Sequence, residues 1–287
     1  VAQDGMRVRA SAGAASFRRE ETLGRCLEEA KAQVERLARE REHPDPGVTK
    51  RQEAARERAA REREQRVAQA LAYLPQAQAA KERQERTLAM GKREKVTAPR
   101  VSTTDPEARV MKMPDGGFRP AYNVELATVK ATGQAHGIIV GVSVTTEGTD
   151  AGQAVPMEEQ VQERTGTHPQ DYLMDGGFAS RGAITTLEQR GVTVYAPVRL
   201  PRNKPEQERY LPREGDSPEV AAWRERMATA EAKAVYKTRG ALAEWANAQV
   251  RHLGVSQFTV RGIAKVTAVM LLTAVTHNLL RWLAWAT

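Results

Sequence analysis

Three carboxylates stand in three different settings along this chain. Asp4 lies in Val1-Ala-Gln-Asp-Gly-Met-Arg-Val-Arg-Ala, a short strand-like segment; Asp175 closes Asp171-Tyr-Leu-Met-Asp ahead of a Gly-Gly break; Glu244 falls in the helical run Tyr236-Lys-Thr-Arg-Gly-Ala-Leu-Ala-Glu-Trp. Strand Asp, strand Asp, helix Glu is a layout that can hold divalent cations at the edge of a sheet. Hard cations such as Mg²⁺ take oxygen ligands, commonly one or two carboxylates with phosphate completing the shell. Two such ions ~3.5–4 Å apart activate an attacking oxygen and stabilise a leaving one in phosphodiester chemistry. Taken singly, each residue has a plainer reading. Asp-Gly favours turns, and a helix Glu is usually solvated. Trp245, Ala246 and Leu242 beside Glu244 predict a partly buried face, where an unliganded carboxylate is unusual.

The elements that must position these groups can be read from the pattern. Residues 1–10 form a strand, and Ala10 to Ser16 a loop. Leu23, Leu27, Ala30, Val34 and Leu37 recur at spacings of 4, 3, 4 and 3, a seam for helix–helix packing. His43-Pro-Asp-Pro-Gly ends that helix. A second helix runs from about Val48 to Tyr73, is interrupted by Pro75 and continues to about Lys95, giving an antiparallel helical hairpin. Thr97 to Gly117 is a linker. Arg119 to Val129 and Gly137 to Val144 are strands that pair as a hairpin through a connection containing Gly133. Thr149-Asp150 caps a helix to about Arg164. A strand ending at Asp175 follows, then a helix from Ser180 to Arg190 and a strand from Val192 to Val198. A polar loop, 201–218, leads to helices over Glu219–Ala232, Tyr236–Leu253 and Gly262–Ala286. Short helical crossovers point to parallel pairing in the second half. Without the helical insertion this is the order of an α/β ribonuclease-H-like fold, three antiparallel strands followed by two parallel ones. Residues 1–16 then carry the first strand of the catalytic core, 17–98 the insertion, and 99–287 the rest of the core with the C-terminal helices.

Composition sets the bounds. The chain has 287 residues with a net charge of +8. Residues 1–100 hold 23 Lys and Arg against 16 Asp and Glu, and residues 101–287 hold 21 against 20, so the basic surplus sits in the first third. Such a surplus attracts polyanions through counterion release. It equally suits solvated helices laced with i,i+4 pairs. The one cysteine, Cys26, excludes an internal disulfide framework and fits a reducing cytoplasm. Its place on an apolar stripe predicts a buried thiol. Val266 to Leu280 is the most apolar stretch; it contains His277 and Asn278, falls short of the ~20 residues of a membrane span, and predicts a buried core helix. No Cys/His cluster suggests zinc, and no glycine-rich loop has phosphate-binding spacing.

Several segments together resemble the DDE transposases of bacterial insertion sequences. Asp4-Gly-Met-Arg-Val-Arg-Ala-Ser-Ala is similar to the first-Asp motif of that family, and Arg119-Pro-Ala-Tyr-Asn-Val-Glu-Leu-Ala to its second strand. Asp171-Tyr-Leu-Met-Asp-Gly-Gly-Phe-Ala-Ser resembles the second-Asp motif. Tyr236, Arg239, Glu244 and Arg251 resemble its Tyr/Arg/Glu/Lys signature, with Arg251 where Lys is more usual and one extra residue between Arg239 and Glu244. Arg261-Gly-Ile-Ala-Lys and Thr276-His-Asn-Leu-Leu resemble its C-terminal helices. The resemblance implies a ribonuclease-H-like catalytic domain that cleaves and joins DNA, with Asp4, Asp175 and Glu244 both catalytic and metal-binding. It implies Mg²⁺, replaceable by Mn²⁺, and phosphate or DNA contacts from Tyr236, Arg239 and Arg251. The implied partners are element-end and target DNA and further copies of the chain assembled on DNA, in a bacterial cytoplasm with no membrane. The family's N-terminal DNA-binding helices have no counterpart here, and the chain opens inside a strand, so a natural start upstream is expected. A non-catalytic DNA-binding remnant is the alternative reading, and a stand-alone nuclease of the same fold a third.

Overall fold

The computed structural model describes residues 1–42, 47–87, 98–130, 137–200 and 205–286. The expected turn at His43 to Pro46, the continuation of the second helix over 88–95 and the connection around Gly133 lie outside these. The chain divides into two compact units, one of residues 1–8, 122–257 and 264–287, the other of residues 9–121 and 258–263.

The first unit holds the sheet. Its strands are β1 (Ala2–Arg9) save for Arg9, the greater part of β5 (Phe118–Lys130), β6 (Gly137–Thr145), β7 (Asp171–Leu173) and β8 (Thr193–Tyr195), in the spatial order β6-β5-β1-β7-β8. β5 and β6 pair antiparallel from Asn123↔Thr145 to Lys130↔Gly137, while β1–β7 and β7–β8 are parallel. This mixed α/β order is the ribonuclease-H-like arrangement expected from the sequence. The β-branched run of β6 and the apolar length of β5, buried from Pro120 to Thr128, explain why these two strands form the sheet's long antiparallel arm.

Helices α3 (Ala154–Thr165), α4 (Arg181–Gln189), α5 (Pro218–Ala228), α6 (Ala230–His252) and α7 (Ile263–Ala286) complete this unit, save for Ile263. Ser180 caps α4 as expected, its hydroxyl accepting from the Ala183 amide at 3.1 Å. Thr149-Asp150 does not cap α3; the helix starts four residues later, behind Gln153. The expected break between the next two helices falls earlier than Ala232. Thr229 leaves the helical conformation and caps α6 by accepting from the Ala232 amide at 3.1 Å. The core packs Tyr172, Met174 and Phe178 against Ile184, Leu187 and Trp223; each such side chain contributes ~1.5–3 kcal/mol on leaving water.

The last helix differs from the buried element expected. Val266, Met270, Ala274 and His277 are buried, but Leu272, Val275, Leu279 and Trp282 are exposed. It is long and apolar enough to cross a membrane by length and composition alone. Its inner face is anchored by polar groups. Asn278 accepts from the Ile139 amide at 2.8 Å and donates to the Ile139 carbonyl at 2.7 Å, satisfying both backbone groups of that one residue of β6 as a neighbouring strand would.

The second unit contains α1 (Glu20–Glu40) and α2 (Lys50–Thr87). They pack through Leu23 against Ala70, Leu74 and Ala77, and Arg63 reaches across to Gln33 at 3.1 Å. Pro75 does not interrupt α2, which runs on through it. Cys26 is half-buried rather than buried. The segment expected as a linker, Thr97 to Gly117, carries strands: β3 (Val101–Ser102) pairs with β2 (Phe17–Arg18), and β4 (Arg109–Lys112) pairs antiparallel with the first four residues of β5.

Candidate active site

The register of the sheet brings the two aspartates together. Ala2 stands opposite Leu173 in the parallel β1–β7 pair, and Asp4 and Asp175 each lie two residues further on. Side chains two apart share a face. Asp175 lies just past the end of β7 rather than within it, in a turn where its Oδ1 accepts from the Gly177 amide at 3.0 Å. The carboxyl end of a parallel strand, where Asp175 sits, is where open α/β sheets gather ligands.

Helix α6 crosses this end of the sheet. Ala243 packs on Ala2 and Leu173 in the layer below the aspartates; with only a methyl group there, the helix backbone comes close. One turn to either side, Arg239 and Asn247 flank Asp4. Asn247 Nδ2 donates to Asp4 Oδ2 at 2.8 Å, and Arg239 Nη1 forms an ion pair with Asp4 Oδ1 at 3.4 Å. Burial pushes the Asp4 carboxyl above its ordinary range; the Arg239 guanidinium opposes that shift and the Asp175 charge adds to it. Tyr236, one turn before Arg239, has its guanidinium over the ring at 6.0 Å from the centroid. Burial raises the Tyr236 phenol as well, with Arg239 opposing.

Glu244 follows Ala243 on the same helix, about 100° round from it. That rotation carries its carboxylate off the sheet-facing side, and Glu244 is exposed where a partly buried face was expected. Its Oε1 lies 3.5 Å from where a side chain at Gly240 would begin, so the glycine leaves it room one turn back. Arg251, exposed in the last turn of α6, is two turns beyond Glu244 on the same flank. Among the described residues, no three of His, Cys, Asp and Glu converge closely enough to hold a metal ion.

Two further carboxylates, unread from the sequence, lie beside Asp4. Glu125 on β5 is fully buried, and Asn123 Nδ2 donates both to its Oε1 at 2.7 Å and to Asp150 Oδ1 at 2.9 Å. Among the described residues, Glu125 Oε2 has no hydrogen-bond partner. Desolvation, with the charges of Asp150 and Asp4, raises the Glu125 pKa to about 8. Gly5 makes this possible: a Cβ there would stand 2.9 Å from Glu125 Oε1 and 3.2 Å from Asp150 Oδ1. The Asp-Gly pair after β1 begins is therefore a packing requirement as much as a turn signal. The signal that could have found Glu125 is its place, beside Asn123, in a mostly apolar strand run, Tyr122 to Val129.

The donor chemistry suits a hard cation: every candidate ligand is a carboxyl oxygen, and carboxyl groups are crowded around Asp4 with Arg239 held against it. Residues 202–283 match the family model described as a transposase DDE domain. No curated protein and no solved structure matches the chain. The matched stretch contains Tyr236, Arg239, Glu244, Asn247 and Arg251, while Asp4, Glu125, Asp150 and Asp175 precede it. The chain thus carries DDE-transposase sequence in its C-terminal portion, as its motifs implied. That family acts on DNA and generally uses divalent metal ions.

Proposed function

We propose that this chain, with its transposase DDE segment, is the catalytic part of an insertion-sequence transposase that cleaves DNA and transfers the cut strand. The observation that carries the reading is the grip of α6 on β1: Arg239 and Asn247 both hold Asp4, beside Asp175 and on the helix that bears Glu244. Asp4, Asp175 and Glu244 would hold Mg²⁺, or Mn²⁺ in its place, with Glu244 turning from solvent toward the aspartates. When bound, the metal supplies activation of water, and then of a DNA 3′-OH, at the scissile phosphate.

The chain's own residues do the rest. Asn247 fixes the orientation of the Asp4 carboxylate. Arg239 neutralises Asp4 while no cation is bound and, once released, can present its planar fork to a phosphate. Tyr236 and Arg251 extend that contact along the DNA backbone, which positions without reading sequence. The chain would act on element-end and target DNA. The outward position of Glu244 favours a second reading, an inactive DNA-binding remnant.

Cleavage and joining of labelled element-end DNA, carried out in the full-length protein with Mg²⁺, Mn²⁺ or EDTA, tests both. Asp175→Ala is expected to abolish chemistry and spare DNA binding. Cleavage at the wild-type rate by that variant, or indifference to EDTA, rejects the catalytic reading; binding without any cleavage by the wild type supports the remnant.

A further inference from the structure

The exposed side of α7 has an order that its buried side does not require. Ala268, Leu272, Val275, Leu279, Trp282 and Ala286 are all exposed and recur at spacings of 4, 3, 4, 3 and 4. This is the a/d spacing by which one helix packs along another. The buried residues Val266, Met270, Ala274 and His277 form a different stripe on the opposite side. That inner stripe is fixed by Asn278 on Ile139 and by His277, whose ring meets Trp245 edge-on at 5.3 Å. The outer seam is therefore held facing away from the sheet.

We infer that this seam is the interface with a second copy of the chain, the two α7 helices lying antiparallel about a two-fold axis. Three observations choose this occupant. The first is area. Leu272 is 68% exposed, Trp282 61% and Leu279 53%. With their neighbours they present roughly 700 Å² of side chain, close to the ~800 Å² each partner gives a standard interface. The second is pattern: a helical seam is complementary to another helix, and an isologous pair sets the same patch against itself.

The third is charge, which selects the direction. Helix α7 contains no Asp or Glu. Arg281 turns inward, its guanidinium 5.1 Å from the Trp245 ring centroid. Lys265, exposed in the first turn and in phase with the seam, is then the cation that an opposing helix would meet. A parallel pair would set Lys265 against its own copy. An antiparallel pair instead places the two Lys265 side chains at opposite ends of the seam, so that like charges do not meet.

The inference gives a surface to the homo-oligomer implied by the family resemblance, and its test needs neither DNA nor metal. Its failure and the failure of the transposase reading are therefore distinguishable. Sedimentation equilibrium of the full chain is expected to show a dimer, and Leu272→Glu/Leu279→Glu is expected to weaken it about 100-fold or more. Far-UV circular dichroism monitors folding of that variant. A second measurement uses single cysteines in a Cys26→Ser background. Val275→Cys, near the middle of the seam, is expected to form an intermolecular disulfide with itself. Lys265→Cys is expected to cross-link with Ala286→Cys and not with itself. A wild-type chain monomeric at about 100 μM, a folded double-Glu variant that stays dimeric, or self-cross-linking of Lys265→Cys without Val275→Cys would overturn the antiparallel pair. Flotation of a monomeric wild type with phosphatidylcholine vesicles would assign the face to a membrane surface instead.

Discussion

Replacing Glu125 by Gln should change how stability depends on pH, and by a large amount. In the folded chain Glu125 is buried with a pKa of about 8, against 4.5 for the free side chain. The native state therefore keeps a proton on Glu125 between pH 4.5 and 8, where the unfolded chain has released it. A state that binds more protons is favoured at low pH, so this group lowers stability as pH rises through that window and adds no further loss above it. At ~1.36 kcal/mol per pKa unit, the full span costs about 5 kcal/mol, an appreciable part of the ~5–15 kcal/mol of an ordinary domain. Gln keeps an acceptor for Asn123 and cannot ionise. Near pH 5 the two proteins should be similarly stable, and from there to about pH 8 the Gln variant should gain ~1.4 kcal/mol per pH unit over wild type. All four tryptophans, Trp223, Trp245, Trp282 and Trp285, lie in the unit that contains Glu125. Urea unfolding followed by tryptophan emission at pH 5, 7 and 9 therefore reports on that unit. Parallel pH profiles for the two proteins would refute the claim that Glu125 is held protonated beside Asp4 and Asp150.

Asn247→Ala removes the 2.8 Å hydrogen bond to Asp4 Oδ2; hydrogen bonds to charged groups contribute ~1.5–3 kcal/mol, so strand cleavage should slow by about 10- to 100-fold. DNA affinity should hold constant, and a variant that cleaves normally would remove Asn247 from the positioning of Asp4. We also predict that the α1–α2 hairpin touches the DNA backbone through α2, the basic helix of the two. Substituting the exposed Arg51, Arg56 and Arg58 together by Ala should weaken binding equally for element-end and scrambled DNA, and reduce the slope of log K against log salt by up to about 3. Unchanged filter-binding curves would leave the hairpin as a packing or assembly element.

The strand order and the placing of both aspartates were legible in the residues, because they rest on local signals. Alternating and β-branched runs marked β5 and β6, the glycine pair marked the end of the strand before Asp175, and Ser180 announced its helix by its own side chain. The ordered motifs likewise pointed to the DDE transposases, a likeness the family model recovers over residues 202–283. What tertiary structure alone decided involves partners far apart in the chain. Asn247 meets Asp4 across 243 positions and Asn123 bridges to Asp150 across 27, and no periodicity encodes either contact. Helix phase was the other hidden quantity. The apolar neighbours of Glu244 suggested burial, but Ala243 took the sheet-facing position and the next residue turned to solvent. In α7 an apolar composition read as a core helix, whereas the fold buries one stripe and leaves the other outside. Composition measures how much apolar surface an element has; only packing decides which side of it is covered.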